Sequence, residues 1–182
     1  MPDKVSWTSR ADGACYCDGP LGAVLNGEQV ARILILQDPP QGYNPFSRKE
    51  FFPPTDRLAS NVCGDADGCS VDRCSDLTKE ELIERSARRA ATANARAAAR
   101  QKTSITRLPG GAVIATVGVL REVRAASQPN QQAIFVYDDP LADNGEHAVI
   151  RASVEVPEEE VALLLLDVRR TFSDRVEPAL PD

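Results

Sequence analysis

The stretches that decide the fold are two short apolar runs, Gln132-Ala133-Ile134-Phe135-Val136-Tyr137 and His147-Ala148-Val149-Ile150-Arg151-Ala152-Ser153-Val154. Both are rich in the β-branched, aromatic and small apolar residues of buried strands, and the turn-forming Asp143-Asn144-Gly145 separates them. A third run, Ala112–Arg124, precedes them and is set apart by Gln128-Pro129-Asn130. We predict that the three runs form an antiparallel meander.

An amphipathic helix is predicted directly after the run that ends at Val154. It opens at Pro157, and one face carries Val161, Leu164, Leu165, Val168 and Phe172. Leu163 and Leu166 fall off that face, so we expect them to be exposed. Strands in succession followed by a helix, without strict alternation, are typical of an α+β fold in which the C-terminal helix packs on the meander.

A second, alanine-rich helix is predicted upstream. Thr78 and Glu81 form a capping box at its start, and arginines gather towards its end. Further upstream, Gln29–Leu36 is typical of a strand or a short buried helix. We expect a single domain over residues 1–182, with an irregular, short-strand portion at 1–76. A helix–meander–helix core at 77–176 and a frayed tail at 177–182 complete it.

Composition indicates an ordinary globular protein. The 182 residues are 42% hydrophobic and 26% charged, and the formal net charge is −6. This charge argues against general binding of polyanions, which needs a cationic surface. No apolar segment is long enough to span a membrane, and Met1–Trp7 has no apolar signal region. We expect a cytoplasmic protein, whose thiols are kept reduced.

The five cysteines all precede residue 75, and they are Cys15, Cys17, Cys63, Cys69 and Cys74. A structural zinc site uses four ligands, usually as pairs with two to four residues between the members of a pair. Here the intervals are one residue between the first two cysteines, then five and four residues in the later group. We therefore expect no bound cofactor, and a zinc-stabilised scaffold is the alternative.

The alanine-rich helix carries a run of arginines that could line a phosphate-binding stripe, namely Arg85, Arg88, Arg89, Arg96 and Arg100. In a chain of net charge −6, a solvated helical face is the more ordinary explanation. Nucleic acid is therefore not expected as a partner.

A proline-rich stretch, Pro39–Pro54, holds four of the nine aromatic residues in the chain: Tyr43, Phe46, Phe51 and Phe52. Aromatic side chains dominate the energetics of protein interfaces, so this stretch is a candidate contact for a protein partner or a second copy of the chain. The alternative is that these aromatics cover the domain's own core.

Two short elements carry a resemblance to a known group. Ser70-Val71-Asp72-Arg73 and the later Asn144-Gly145-Glu146-His147-Ala148 resemble elements of a loose group of small uncharacterised bacterial proteins, often found near mobile or defence loci. The similarity extends over about residues 50–172, and Gly145 stands where that group has proline. The resemblance implies a common fold and places Ser70, Asp72 and Arg73 near His147, the single histidine of the chain.

Three hypotheses for the function follow. The first is a small cytoplasmic bacterial accessory protein that acts through protein–protein contacts in a defence or mobile-element system. The second is a phosphate-directed enzyme in which His147 is the acid/base, Arg73 holds the anion and Ser70 completes the site. In the matching structural interpretation, Arg73 pairs with an acid and His147 caps a turn. The third hypothesis is the zinc-stabilised scaffold.

Overall fold

The computed structural model describes residues 24–37, 69–101, 106–139, 141–153 and 156–178. In chain order the elements are β1 (Gln29–Gln37), β2 (Cys69–Arg73), α1 (Lys79–Ala99), β3 (Arg107–Thr116), α2 (Val117–Glu122), β4 (Ile134–Asp138), β5 (His147–Ala152), α3 (Glu158–Thr171) and β6 (Asp174–Val176). The strands form one antiparallel sheet of six, in the order β4-β5-β2-β1-β3-β6. The α+β class is thus confirmed.

The predicted meander is only partly present. Strands β4 and β5 form the expected hairpin, with Tyr137 opposite Val149. Strand β3 lies elsewhere, because it pairs with β1 and β6, and its predicted continuation over residues 117–122 is the helix α2. Strand β1 explains why β3 lies elsewhere. It is apolar on both faces, so both faces need other elements packed against them. The helices on the two sides of the sheet cover both faces of the strands in its middle, and β1 lies there, so that β1 and β2 separate β3 from the hairpin.

The main hydrophobic core lies between one face of the sheet and the helices α2 and α3. Helix α3 contributes the buried side chains of Leu164 and Val168, and the buried Phe172 directly follows it, so its packing against the sheet is confirmed. Leu163 and Leu166 are 62% and 43% exposed, as the helical pattern predicted.

Helix α1 packs on the opposite face of the sheet, over β1 and β3. Thr78 caps it as predicted: its hydroxyl accepts from the Glu81 N–H, and the Glu81 carboxylate accepts from the Thr78 N–H. Leu82, Ser86 and Ala90 form its buried face, and the two small residues allow a close approach to the strands. In the part of the chain that the structure describes, no helix combines the length and apolarity that a membrane span requires.

Candidate anion-binding site

A cleft of about 930 Å³ lies beside α1, on the sheet face that this helix covers. Strand β2, the start of β5 and the β4–β5 connection form its other wall. Six arginines line it, namely Arg85, Arg88, Arg89, Arg96, Arg100 and Arg107, against three carboxylates, namely Asp72, Asp143 and Glu146. We call this feature the arginine cleft. Its lining is cationic, although the chain as a whole is acidic.

Helical geometry explains why most of these arginines share one wall. Arg85, Arg89, Arg96 and Arg100 are spaced by four, seven and four residues, which places them along one flank of α1. At 1.5 Å per residue, the first and last lie roughly 22 Å apart along the helix axis. The small residues between them leave the cleft open. The sequence-predicted stripe thus lines a concave site, which a simple solvated face would not form.

Asp72 organises one end of the cleft. Its buried carboxylate accepts hydrogen bonds from Arg89 at 2.6 Å, from the Asn144 amide at 2.9 Å and from Arg85 at 3.4 Å. Arg85 also contacts Glu146 at 3.1 Å, and this hydrogen bond lowers the pKa of the Glu146 carboxyl. The positive charge at this end is therefore largely balanced, and the network ties α1 to β2 and to the β4–β5 connection.

At the other end of the cleft, carboxylates do not balance the positive charge of the arginines in this way. Arg96, Arg100 and Arg107 have no carboxylate partner among the residues that the structure describes. The Nη1 atom of Arg107 is buried without a hydrogen-bond partner in the same described part. Two bonds to Asn94 of α1 hold the Arg107 backbone: its N–H donates to Asn94 Oδ1 at 2.8 Å, and its carbonyl accepts from Asn94 Nδ2 at 2.9 Å. We call these three arginines the open triad.

A β-bulge puts Arg107 on this face of the sheet. Ile33 pairs with Ala112, but Ile35 pairs with Pro109, so β3 contains one residue more than β1 over this span. Val113 belongs to the main core on the other face, and strict alternation would place Arg107 there too. The extra residue inverts the alternation, and Arg107 lines the arginine cleft instead.

Ser86 and a glycine pair make the bulge possible. The buried Ser86 hydroxyl accepts from the Gly110 N–H at 2.9 Å and the Gly111 N–H at 3.0 Å, and it donates to the Leu34 carbonyl at 2.6 Å. These bonds satisfy backbone groups that the irregular ladder leaves unpaired. Gly111 has a φ of 74°, and a Cβ there would collide with the Val176 carbonyl, so only glycine fits.

The expected catalytic residues are only partly brought together. Strands β2 and β5 are neighbours, Asp72 lies opposite His147, and both Ser70 and His147 line the arginine cleft. The Arg73 side chain lies on the other face of β2, where it contacts Glu28 at 2.8 Å and Asp138 at 3.1 Å. The expected convergence therefore does not extend to Arg73, because successive strand residues face opposite sides.

His147 is held by the β4–β5 connection. Its Nδ1 lies 2.6 Å from the Asp139 carbonyl oxygen and 3.4 Å from an Asp139 carboxylate oxygen. Burial by itself lowers the pKa of His147, but the hydrogen bonds to Asp139 and the nearby negative charges outweigh it, so that the pKa is raised. These contacts match the turn-capping interpretation, and a catalytic role for Ser70 and His147 stays a prediction.

The described cysteines belong to different hydrophobic clusters. Cys69 is buried in the main core and Cys74 in the cluster under α1. Burial raises the pKa of the Cys74 thiol to about 12, and the nearby charge of Asp72 adds to this effect, while Arg85 partly offsets it. At neutral pH the thiol is therefore a poor nucleophile and a poor metal ligand. The other predicted ligands, Cys15, Cys17 and Cys63, lie outside the described residues, as do the predicted contact aromatics Tyr43, Phe46, Phe51 and Phe52.

No group of three or more histidine, cysteine, aspartate or glutamate residues suited to a metal ion occurs in the described ranges. Because three of the five cysteines lie outside those ranges, the zinc scaffold stays a prediction. Metal analysis of the purified chain tests it directly.

Sequence reasoning missed two parts of the arginine cleft. Arg107 was outside every predicted element, although Pro109-Gly110-Gly111 next to an apolar run is a signal for an irregular strand. Asn144 belongs to a predicted turn and to one of the two elements that carry the resemblance, whereas in the structure its amide bridges Asp72 and Arg85. The sequence carried no signal for that bridge.

Comparison with known proteins adds no assignment. The chain matches no protein-family model and shows no significant similarity to a curated protein or to a solved structure.

Proposed function

We propose that this chain binds a small phosphate-bearing ligand in the arginine cleft. The observation that carries the proposal is the open triad, and above all the buried Nη1 of Arg107 without a hydrogen-bond partner in the described part of the chain. A buried donor without an acceptor costs about 1–3 kcal/mol, and more when it is charged. A bound oxyanion removes that cost, because phosphate oxygens accept charge-assisted, bidentate hydrogen bonds from guanidinium groups.

The size and the charge of the site favour a small ligand. A cleft of about 930 Å³ is within the usual range for small-molecule sites, which is roughly 300–1,000 Å³. A net charge of −6 opposes the binding of a long polyanion that extends beyond the cleft. Local anion binding on an acidic protein therefore favours a ligand that the cleft encloses.

Titration calorimetry with pyrophosphate tests the proposal. Arg107→Gln keeps a hydrogen-bonding side chain but loses the charge. It should weaken pyrophosphate binding by about 10- to 100-fold, which corresponds to the loss of one charge-assisted hydrogen bond. Arg96→Gln alters an exposed residue and should weaken binding without affecting folding.

The matched control is Arg170→Gln, at an exposed arginine of α3 that is paired with Asp167. Its pyrophosphate affinity should equal that of the unmodified chain. Equal affinities in the Arg96, Arg107 and Arg170 variants, or no binding at millimolar pyrophosphate, would overturn the proposal.

A second candidate function is the protein contact expected from the sequence. The observation in its favour is the exposure of Leu163 and Leu166 on α3, since large apolar side chains outside a core are candidates for an interface. On this proposal the chain is an accessory protein that recognises a partner through α3, with the anion site as a separate feature. Sedimentation velocity of the chain with and without substitutions at these leucines tests whether the partner is a second copy of the chain.

A further inference from the structure

The two ends of the arginine cleft differ in charge, and this difference restricts the class of ligand. Asp72 and Glu146 contact Arg85 or Arg89, and the exposed Asp143 lies next to them on the β4–β5 connection. The acidic lining residues therefore gather at one end of the cleft. We call this end the balanced end.

The open triad lies at the other end. Arg96 follows Arg89 by seven residues along α1, which is a separation of roughly 10 Å along the helix axis. All three members of the open triad are positively charged at neutral pH, and the carboxylates of the cleft lie at the balanced end. A phosphate group is thus most stable at the open triad.

The balanced end is suited to uncharged, hydrogen-bonding groups. Asn144 and Glu146 line it, and Ser70 lies two residues before Asp72 on the same face of β2. Together they present both donors and acceptors, as sugar hydroxyls require. A second phosphate there would lie beside Asp72, Asp143 and Glu146, and repulsion between like charges opposes that placement.

We infer that the ligand is a phosphomonoester of a sugar, with its phosphate on Arg96, Arg100 and Arg107 and its hydroxyls towards Ser70 and Asn144. The inference rests on the proposed anion site and adds the class and orientation of the ligand. Arg89 and Arg96, the nearest helix arginines of the two ends, are roughly 10 Å apart along the helix axis, which suits a pentose or hexose phosphate, either free or as part of a nucleoside monophosphate.

The experiment compares four probes by titration calorimetry: inorganic phosphate, ribose 5-phosphate, adenosine monophosphate and tripolyphosphate. Ribose 5-phosphate should bind at least about tenfold more tightly than inorganic phosphate, because hydroxyls add hydrogen bonds at the balanced end. Adenosine monophosphate distinguishes the two sources of the sugar phosphate: a further gain in affinity identifies a nucleotide, and equal affinity identifies a free sugar phosphate.

Variants distinguish the two ends. Ser70→Ala and Asn144→Ala should remove most of the gain of ribose 5-phosphate over inorganic phosphate, measured as the ratio of the two affinities within each variant. Arg107→Gln should weaken both ligands by the same factor, because both place a phosphate on the open triad.

The outcomes separate this inference from the proposed function. If inorganic phosphate binds as tightly as both sugar phosphates, or tripolyphosphate binds most tightly, the inference is overturned and the anion site stands. If none of the four probes binds, both are overturned.

Discussion

Replacing Ser86 by alanine should destabilise the protein by about 2.5 kcal/mol, far more than the loss of one hydroxyl from a helix usually costs. The hydroxyl serves three buried backbone groups: the N–H groups of Gly110 and Gly111 and the carbonyl of Leu34. Each buried group left unpaired costs about 1–3 kcal/mol, and the lower value gives about 3 kcal/mol for the three. The better helix propensity of alanine returns about 0.5 kcal/mol.

Urea denaturation followed by circular dichroism measures this loss. With a slope of about 2 kcal/mol per molar urea, typical of small proteins, the midpoint should fall by about 1 M. Thr92→Ala is the matched control, because it removes an exposed hydroxyl from the same helix and should change stability by no more than about 0.5 kcal/mol.

A loss as small as that of the Thr92 variant would refute the role of Ser86 as the partner of the bulge. The same variant also tests the link from the bulge to the site. Since the bulge determines which face Arg107 occupies, pyrophosphate affinity should fall together with stability. A destabilised Ser86→Ala protein with unchanged pyrophosphate affinity would show that Arg107 does not depend on this contact.

Three further predictions concern other parts of the fold. Gly111→Ala should cost more than about 2 kcal/mol by urea denaturation, since its φ is positive and a Cβ collides there, whereas Gly27→Ala should change stability by less than about 1 kcal/mol. The raised pKa of His147 means that its protonated form stabilises the folded state below pH 6.5 and that this contribution is lost as pH rises through the folded pKa. His147→Asn should therefore lower the melting temperature more at pH 5.5 than at pH 8.5, and an equal effect at both would contradict this. Leu163→Glu and Leu166→Glu should leave the melting temperature within about 2 °C and abolish any self-association seen by sedimentation velocity, and unchanged association would exclude α3 as the contact.

The local elements of this fold could be predicted because their signals are local. The Thr78–Glu81 capping box defines the start of α1, and the apolar stripe of α3 identifies Leu164 and Val168 as buried. The same stripe includes Leu165, which is only partly buried. Replacement of a fully buried leucine by alanine costs about 2–5 kcal/mol, and this cost is expected at Leu164. Periodicity determines which side of the helix a side chain is on, whereas how deeply it is buried depends on the elements that pack against that side.

Strand order could not be predicted, because it depends on pairings between distant residues. The hairpin of β4 and β5 was found from its short connection, but β2 pairs with β5 across more than seventy residues of chain, as Asp72 opposite His147 shows. A sequence pattern contains no record of such a pairing. The resemblance of the two short elements to the bacterial group implied this proximity. In the structure β2 lies beside β5, and the Arg73 side chain lies on the other face of the sheet.

The open triad shows why a site can escape prediction even when its residues are visible in the sequence. Arg96 and Arg100 follow from helical spacing, but Arg107 reaches them only because one extra residue in β3 reverses the alternation of side chains. That residue is tolerated because Gly111 accepts a positive φ and because Ser86 supplies hydrogen bonds from a different element. The position of one cation thus depends on a serine, a glycine and a strand register at once. A change at any of the three should move the Arg107 side chain out of the arginine cleft, although the sequence would still contain all six arginines that line it.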